Sequence, residues 1–163
     1  MRILAVIPAF AAMVLWINFP RPDVLISGDG RLIGVMVQGA RVLNAAKGSG
    51  FVARSWLEND GRPISQSAAH GDLPSWIEIV SKGSEPQYPC QARLVVVQAW
   101  RSDLACDGVD LGRLATAGGV AGRFDRSGRL HWITVRQAIG HRLWNSPELR
   151  RAKGCYIAGG KAP

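Results

Sequence analysis

An apolar run at the start of the chain stops abruptly at two prolines, and this junction limits what the rest of the sequence can become. Residues 3–19 carry no charged side chain, and Asn18 is their only strongly polar one. Pro20-Arg21-Pro22-Asp23 follows, and the strand-like Val24-Leu25-Ile26 begins directly behind it. A helix over that run measures about 26 Å, a little under a hydrocarbon core of about 30 Å. Snorkelling of Arg2 and Arg21 closes the difference. Pro8 falls in the second turn, where it disturbs a helix least, and Trp16 sits where an interfacial indole belongs. A cleavable signal peptide needs small residues just after the run, and Ile17-Asn18-Phe19-Pro20 offers none. A core helix apolar on every side is unusual in so small a domain. The run therefore reads as an uncleaved, single-pass membrane anchor over residues 1–20. An extramembrane domain over 21–158 and a flexible tail over 159–163 complete the division.

Composition bounds that domain. The chain has 163 residues, which suits one domain of ordinary size behind the anchor. Its 19 Gly and 9 Pro point to short elements joined by many turns. The formal charge of +8 is unevenly placed. Residues 21–92 hold seven Lys/Arg against seven Asp/Glu, whereas 93–163 hold twelve against five. The basic character thus belongs to the second half, whose natural partner is a polyanion or an anionic headgroup surface. Arginine scattered over solvated faces without any partner gives the same count.

Local patterns suggest the elements. Val24 onward reads as a hairpin with Ser27-Gly28-Asp29-Gly30 as its turn and Arg31-Leu32-Ile33-Gly34-Val35 as its second arm. Val42-Leu43 adds a third short strand. Residues 51–57 have the spacing of a short helix, ended by Asn59-Asp60-Gly61. Residues 65–72 and 83–89 are loops. Pro74, Trp76, Ile77 and Val80 fit a further helical turn over 74–81. Leu94-Val95-Val96-Val97 is a strand apolar on both faces. Residues 104–122 are glycine-rich and ambiguous. Phe124-Asp125-Arg126-Ser127-Gly128-Arg129 turns into a strand over 130–135, and Ser146-Pro147 opens a last helix that Gly154 ends.

Little of this carries reactive chemistry. Cys90, Cys106 and Cys155 lack C-x-x-C spacing and the three histidines are dispersed, so neither a zinc site nor any cofactor is expected. A Cys90–Cys106 disulfide would tie the valine strand to the loop after it, worth roughly 3 kcal/mol in the chain-entropy account. Three small buried thiols are the other reading, and the oxidised one favours a periplasmic domain. Gly28-Asp29-Gly30 with Gly34 misses the G-x-G-x-x-G frame by one residue and no crossover helix follows, so a hairpin turn explains it better. Ser27 lacks a G-x-S-x-G frame, and His131 reads as a packed or solvent-facing side chain. Arg123, Arg126, Arg129 and Arg136 flank Phe124 and Trp132, a mixture that can contact phosphates and stack bases. A half-exposed strand with alternating arginines has the same composition.

Longer blocks carry a resemblance. The segment from Pro20-Arg21-Pro22-Asp23-Val24-Leu25-Ile26-Ser27-Gly28-Asp29-Gly30-Arg31-Leu32-Ile33-Gly34-Val35, then Phe51-Val52-Ala53-Arg54-Ser55-Trp56-Leu57 and Asp60-Gly61, resembles the C-terminal region of alphaproteobacterial ComEC-type competence proteins. Cys90-Gln91-Ala92-Arg93-Leu94-Val95-Val96-Val97 with Cys106, Arg123-Phe124-Asp125, and Trp132 to Val135-Arg136 with Arg142-Leu143-Trp144 are similar to later motifs of that family. The resemblance implies a part of the inner-membrane channel that passes single-stranded DNA into the cell during natural transformation. Departures are the missing polytopic core, the missing second cysteine pair, and Arg54 where the family has an acid. The metal-binding H-x-H-x-D-H of some relatives is also absent, so hydrolysis is not implied.

Together these readings give an α+β protein: one N-terminal transmembrane helix, then a small mixed domain of short strands, hairpins and short helices. The expected function is non-catalytic, that of a truncated or split piece of the DNA-import channel. Its expected partners are membrane lipid, single-stranded DNA and the polytopic part of the channel. An anchored interaction module or non-functional remnant without nucleic-acid affinity, and a degenerate hydrolase that would bind zinc, are the alternatives.

Overall fold

The structure, a computed structural model, describes residues 6–17, 21–84, 92–100 and 108–139. The first element is helix α1 (Val6–Ile17), of 12 residues. At 1.5 Å per residue it is about 18 Å long, well short of a bilayer core. Among the described residues no helix is long and apolar enough to cross a membrane. The expected transmembrane span, and with it the single-pass inner-membrane location, is therefore corrected. The apolar run counted from the sequence covers 17 residues, whereas the described helix covers 12. Ile7, Phe10, Met13 and Leu15 of α1 are 62–72% exposed.

Behind Pro22, β1 (Val24–Ser27) follows as expected, then β2 (Ile33–Val37) and β3 (Ala40–Leu43) in an antiparallel meander. The first turn is built as the sequence suggested. Ser27 N–H donates to Leu32 C=O and Gly30 N–H to Ser27 C=O, both at 2.9 Å. The Ser27 hydroxyl donates to the Asp29 carboxylate and accepts from Leu32 N–H. Its chemistry is spent on the turn.

Helix α2 (Gly50–Asn59) comes next, with Asp60 as its C-terminal cap. The segment expected as a second helical turn is instead β4 (Ile77–Val80), a correction. One turn does form, with Ile77 N–H on Pro74 C=O at 3.0 Å, but Ile77-Glu78-Ile79-Val80 then extends. The apolar spacing fits both periods; side chains branched at Cβ favour extension, and a waiting partner strand decides it. That partner is β5 (Leu94–Val97), buried at all four positions as its continuous apolar run implied. The ambiguous glycine-rich stretch resolves into β6 (Gly108–Asp110), α3 (Leu111–Ala117) and the start of β7 (Gly119–Phe124). Asp110 caps α3 by accepting from Arg113 N–H at 2.8 Å. The final described elements are β8 (Leu130–Thr134) and α4 (Val135–Ile139). The helix expected after Ser146 and the tail over 159–163 lie outside the described residues, as do Cys90, Cys106 and Cys155.

Two sheets result. One is antiparallel in the order β3-β2-β1-β7-β8; the other is parallel in the order β4-β5-β6. Their facing sides form the main core, with Val24, Ile26, Ile33, Val35 and Val120 against Ile77, Leu94, Val96 and Val109. Leu114 and Ala117 of α3 complete it. The outer side of the larger sheet carries a second cluster, in which Leu32 and Leu43 meet Ala53 and Leu57 of α2. The fold is thus a small mixed α/β domain with both kinds of strand pairing, rather than an anchor followed by an α+β module.

A buried ion pair pins α2 to the sheet. Arg41 on β3 is 1% exposed, and its Nε donates to Oδ2 of Asp60 at the helix end. Its Nη2 donates to the other carboxylate oxygen at 3.2 Å and to Pro22 C=O at 3.1 Å, and Nη1 reaches Gly34 C=O at 3.3 Å. The planar guanidinium fork suits this convergence of acceptors.

Candidate nucleic-acid interface

The β7–β8 hairpin carries the arginines singled out from the sequence. Asp125 N–H donates to Arg129 C=O at 2.9 Å, and Gly128 N–H donates to Asp125 C=O at 3.0 Å. Gly128 has φ +77°, a conformation open to glycine at little cost. The Asp125 carboxylate then gathers the loop. Its Oδ1 accepts from Ser127 N–H at 2.8 Å, Ser127 Oγ at 2.6 Å and Arg129 N–H at 2.9 Å. Its Oδ2 meets His131 Nε2 at 2.8 Å. The Ser127 hydroxyl, followed by the His131 ring and the Arg129 amide, holds this carboxyl far below the usual carboxylate range. It stays ionised and committed to the loop.

Strand register sorts the side chains. Arg123 pairs with His131, Phe124 with Leu130, and Gly122 with Trp132. Residues directly opposite share a face, and faces alternate along each strand. Trp132 and Leu130 turn inward onto the main core, while Phe124 meets Trp76 edge-on with centroids 5.0 Å apart. Gly122 leaves room for the indole, since a Cβ there would sit 2.8 Å from Trp132. Arg123 and His131 consequently point outward and are exposed, as are Arg126 and Arg129. The aromatics expected to stack bases beside the arginines thus serve the core, whereas the arginines face solvent.

The structure brings Arg123, Arg126 and Arg129 onto one hairpin end and leaves Arg136 apart. Arg136 lies in α4, beyond the other end of β8, roughly 16 Å along the strand, and is half-buried. A residue the sequence reading missed joins the first three. Arg93, exposed just before β5, brings Nη1 and Nη2 to 3.8 Å from where a Cβ on Gly128 would stand. Parallel β5 and the hairpin are far apart in sequence, so only the sheet packing juxtaposes them. The weak signal was the arginine ending the Cys90-Gln91-Ala92-Arg93 block. Asp23 is the second carboxylate bonded to the hairpin, and it too is committed to backbone, accepting from Phe124 N–H at 2.7 Å. The hairpin end thus carries Arg123, Arg126 and Arg129 with Arg93 beside its turn, and the two described carboxylates bonded to it, Asp23 and Asp125, are occupied by local bonds.

Other motifs are accounted for differently. Arg54 is exposed on α2 and donates to Glu58 at 2.7 Å, a helical pair one turn apart. His70 Nδ1 lies 3.1 Å from Leu43 C=O. Among the described residues no three His, Cys, Asp or Glu side chains are grouped so as to hold a metal ion. The proposed Cys90–Cys106 pairing falls outside the described residues. No protein-family model matches the chain, no curated protein matches it, and no solved structure matches it.

Proposed function

We propose that this chain is a non-catalytic domain that holds single-stranded DNA by its phosphates, akin to the C-terminal region of ComEC-type DNA-import channels. The observation that supports this reading is the cluster of Arg93, Arg123, Arg126 and Arg129 around one hairpin end, exposed and facing no uncommitted carboxylate among the partners described above. Guanidinium groups match phosphate oxygens in charge and in fork geometry. The sequence blocks around Asp23 and Trp56 supply the kinship, and the polytopic part of such a channel is the partner this reading implies.

The test is fluorescence anisotropy of the full chain with labelled oligo(dT) over a series of salt concentrations. Binding should weaken steeply with salt, each phosphate contact contributing about 0.7 to the slope of log affinity against log salt. Replacing Arg123, Arg126 and Arg129 together with Gln should reduce that slope by about 2. Absence of binding at low ionic strength, or binding indifferent to salt, would remove the reading. The exposed apolar side chains of α1 favour a second one, an interaction module without nucleic-acid affinity. Under it the four arginines are solvated surface, and substituting Phe10 with Ser would abolish partner binding while oligo(dT) never binds.

A further inference from the structure

The outer face of the hairpin continues beyond its arginines into a groove. One row below the Arg123–His131 pair stands the Ala121–Ile133 pair, on the same face and about 7 Å along the strands. Ala121 and Ile133 line a groove of about 280 Å³, walled by Val52 and Trp56 of α2, Leu25 of β1 and Ala138 of α4. Its surface is mostly apolar, yet Ile133 is 51% exposed. Polar groups at its edge are already engaged: the Ser27 hydroxyl within its own turn, and the Thr134 hydroxyl by accepting from Gln137 N–H at 3.1 Å. The wall is firmly held, because Arg41 and Asp60 fasten α2 to the sheet.

We propose that this groove accepts an unstacked nucleobase of the strand whose phosphates lie on the arginines, an inference that rests on the phosphate-binding reading above. An occupant must present anionic groups to the upper rows and a compact apolar body to the row beneath. Single-stranded nucleic acid repeats that pairing at every nucleotide, and an indole beside aliphatic side chains is the surface on which base faces lie. With the Ser27 hydroxyl held in its turn and the Thr134 oxygen accepting from Gln137, the apolar lining meets base faces rather than base edges. Binding is accordingly tolerant of sequence.

The experiment compares oligo(dT) with an abasic oligomer of equal length, which keeps the phosphates and lacks the bases. Anisotropy on the full chain should give about tenfold tighter binding of oligo(dT), within what one stacked base contributes, and oligo(dA) should match oligo(dT) within a few-fold. Ala121→Leu fills the groove without altering charge, and Ile133→Ser strips its apolar edge. Each should bring oligo(dT) down to the abasic level and leave the salt slope unchanged, with folding checked by circular dichroism. Equal affinity of the unmodified chain for both oligomers would overturn the groove and leave the arginine reading standing. A tenfold preference that survives Ala121→Leu in a folded protein would overturn the groove as its location. If neither oligomer binds at low salt, both readings fall together.

Discussion

Arg41 bears a full charge at 1% exposure, and Asp60 opposite it is 9% exposed. Charges so far from water persist because each has its counter-ion and further hydrogen bonds; removing one partner strands the other. Asp60→Ala should therefore destabilise the fold by about 3–5 kcal/mol in urea denaturation, whereas Arg41→Met with Asp60→Leu should cost clearly less than the two single changes summed. A mild effect of Asp60→Ala would mean the guanidinium finds water instead. Nothing in the sequence distinguishes Arg41 from other arginines, since its burial depends on where the end of α2 lands. Asp125 behaves differently. Its folded carboxyl is held far below the ordinary aspartate value of about 3.9, so the loop gains stability from it above that value and loses it only as pH falls through the depressed one. The amide chemical shifts of Ser127 and Arg129 should then stay constant from about pH 5 to about 3, the range over which an ordinary aspartate titrates. A titration of those amides at the ordinary aspartate value would contradict the bonding seen here.

Elements were most legible where local chemistry and the fold agree. The Ser27–Gly30 turn, α2, β5 and the turn before β8 all stand where patterning put them, because caps, glycines and β-branched runs act over a few residues. β4 shows the opposite case: residues 76–80 satisfy a helical spacing, but pairing with β5 supplies the backbone partners that an isolated turn lacks. The hairpin also depends on a close approach that no propensity scale records. Gly122→Val would push a Cβ into the Trp132 ring, 2.8 Å away, and should destabilise the domain by about 1–3 kcal/mol in thermal or urea unfolding. It should also loosen the arginine end, lowering oligo(dT) affinity in step with stability. A variant of unchanged stability would show that the indole has a second place to pack.

At the scale of the molecule, the core clusters among the described residues draw on Val24 onward, and the described side chains of α1 are not in them. A chain beginning at Arg21 should accordingly unfold within about 4 °C of the full chain, a shift corresponding to under 1 kcal/mol. A drop of tens of degrees by circular dichroism would place α1 within the core. The basic bias of the second half could be counted from the residues, and so could the three hairpin arginines, because a turn signal keeps near neighbours together. Arg93 could not be added to them, nor the groove beside them foreseen, because both arise from contacts between segments distant along the chain. Sequence alone thus determined the local turns, the inward and outward alternation of strands, and the sign of the charge. Tertiary packing decided which charges meet, which indoles are withdrawn into the core and which face is left open, since those depend on two sheets closing over one another.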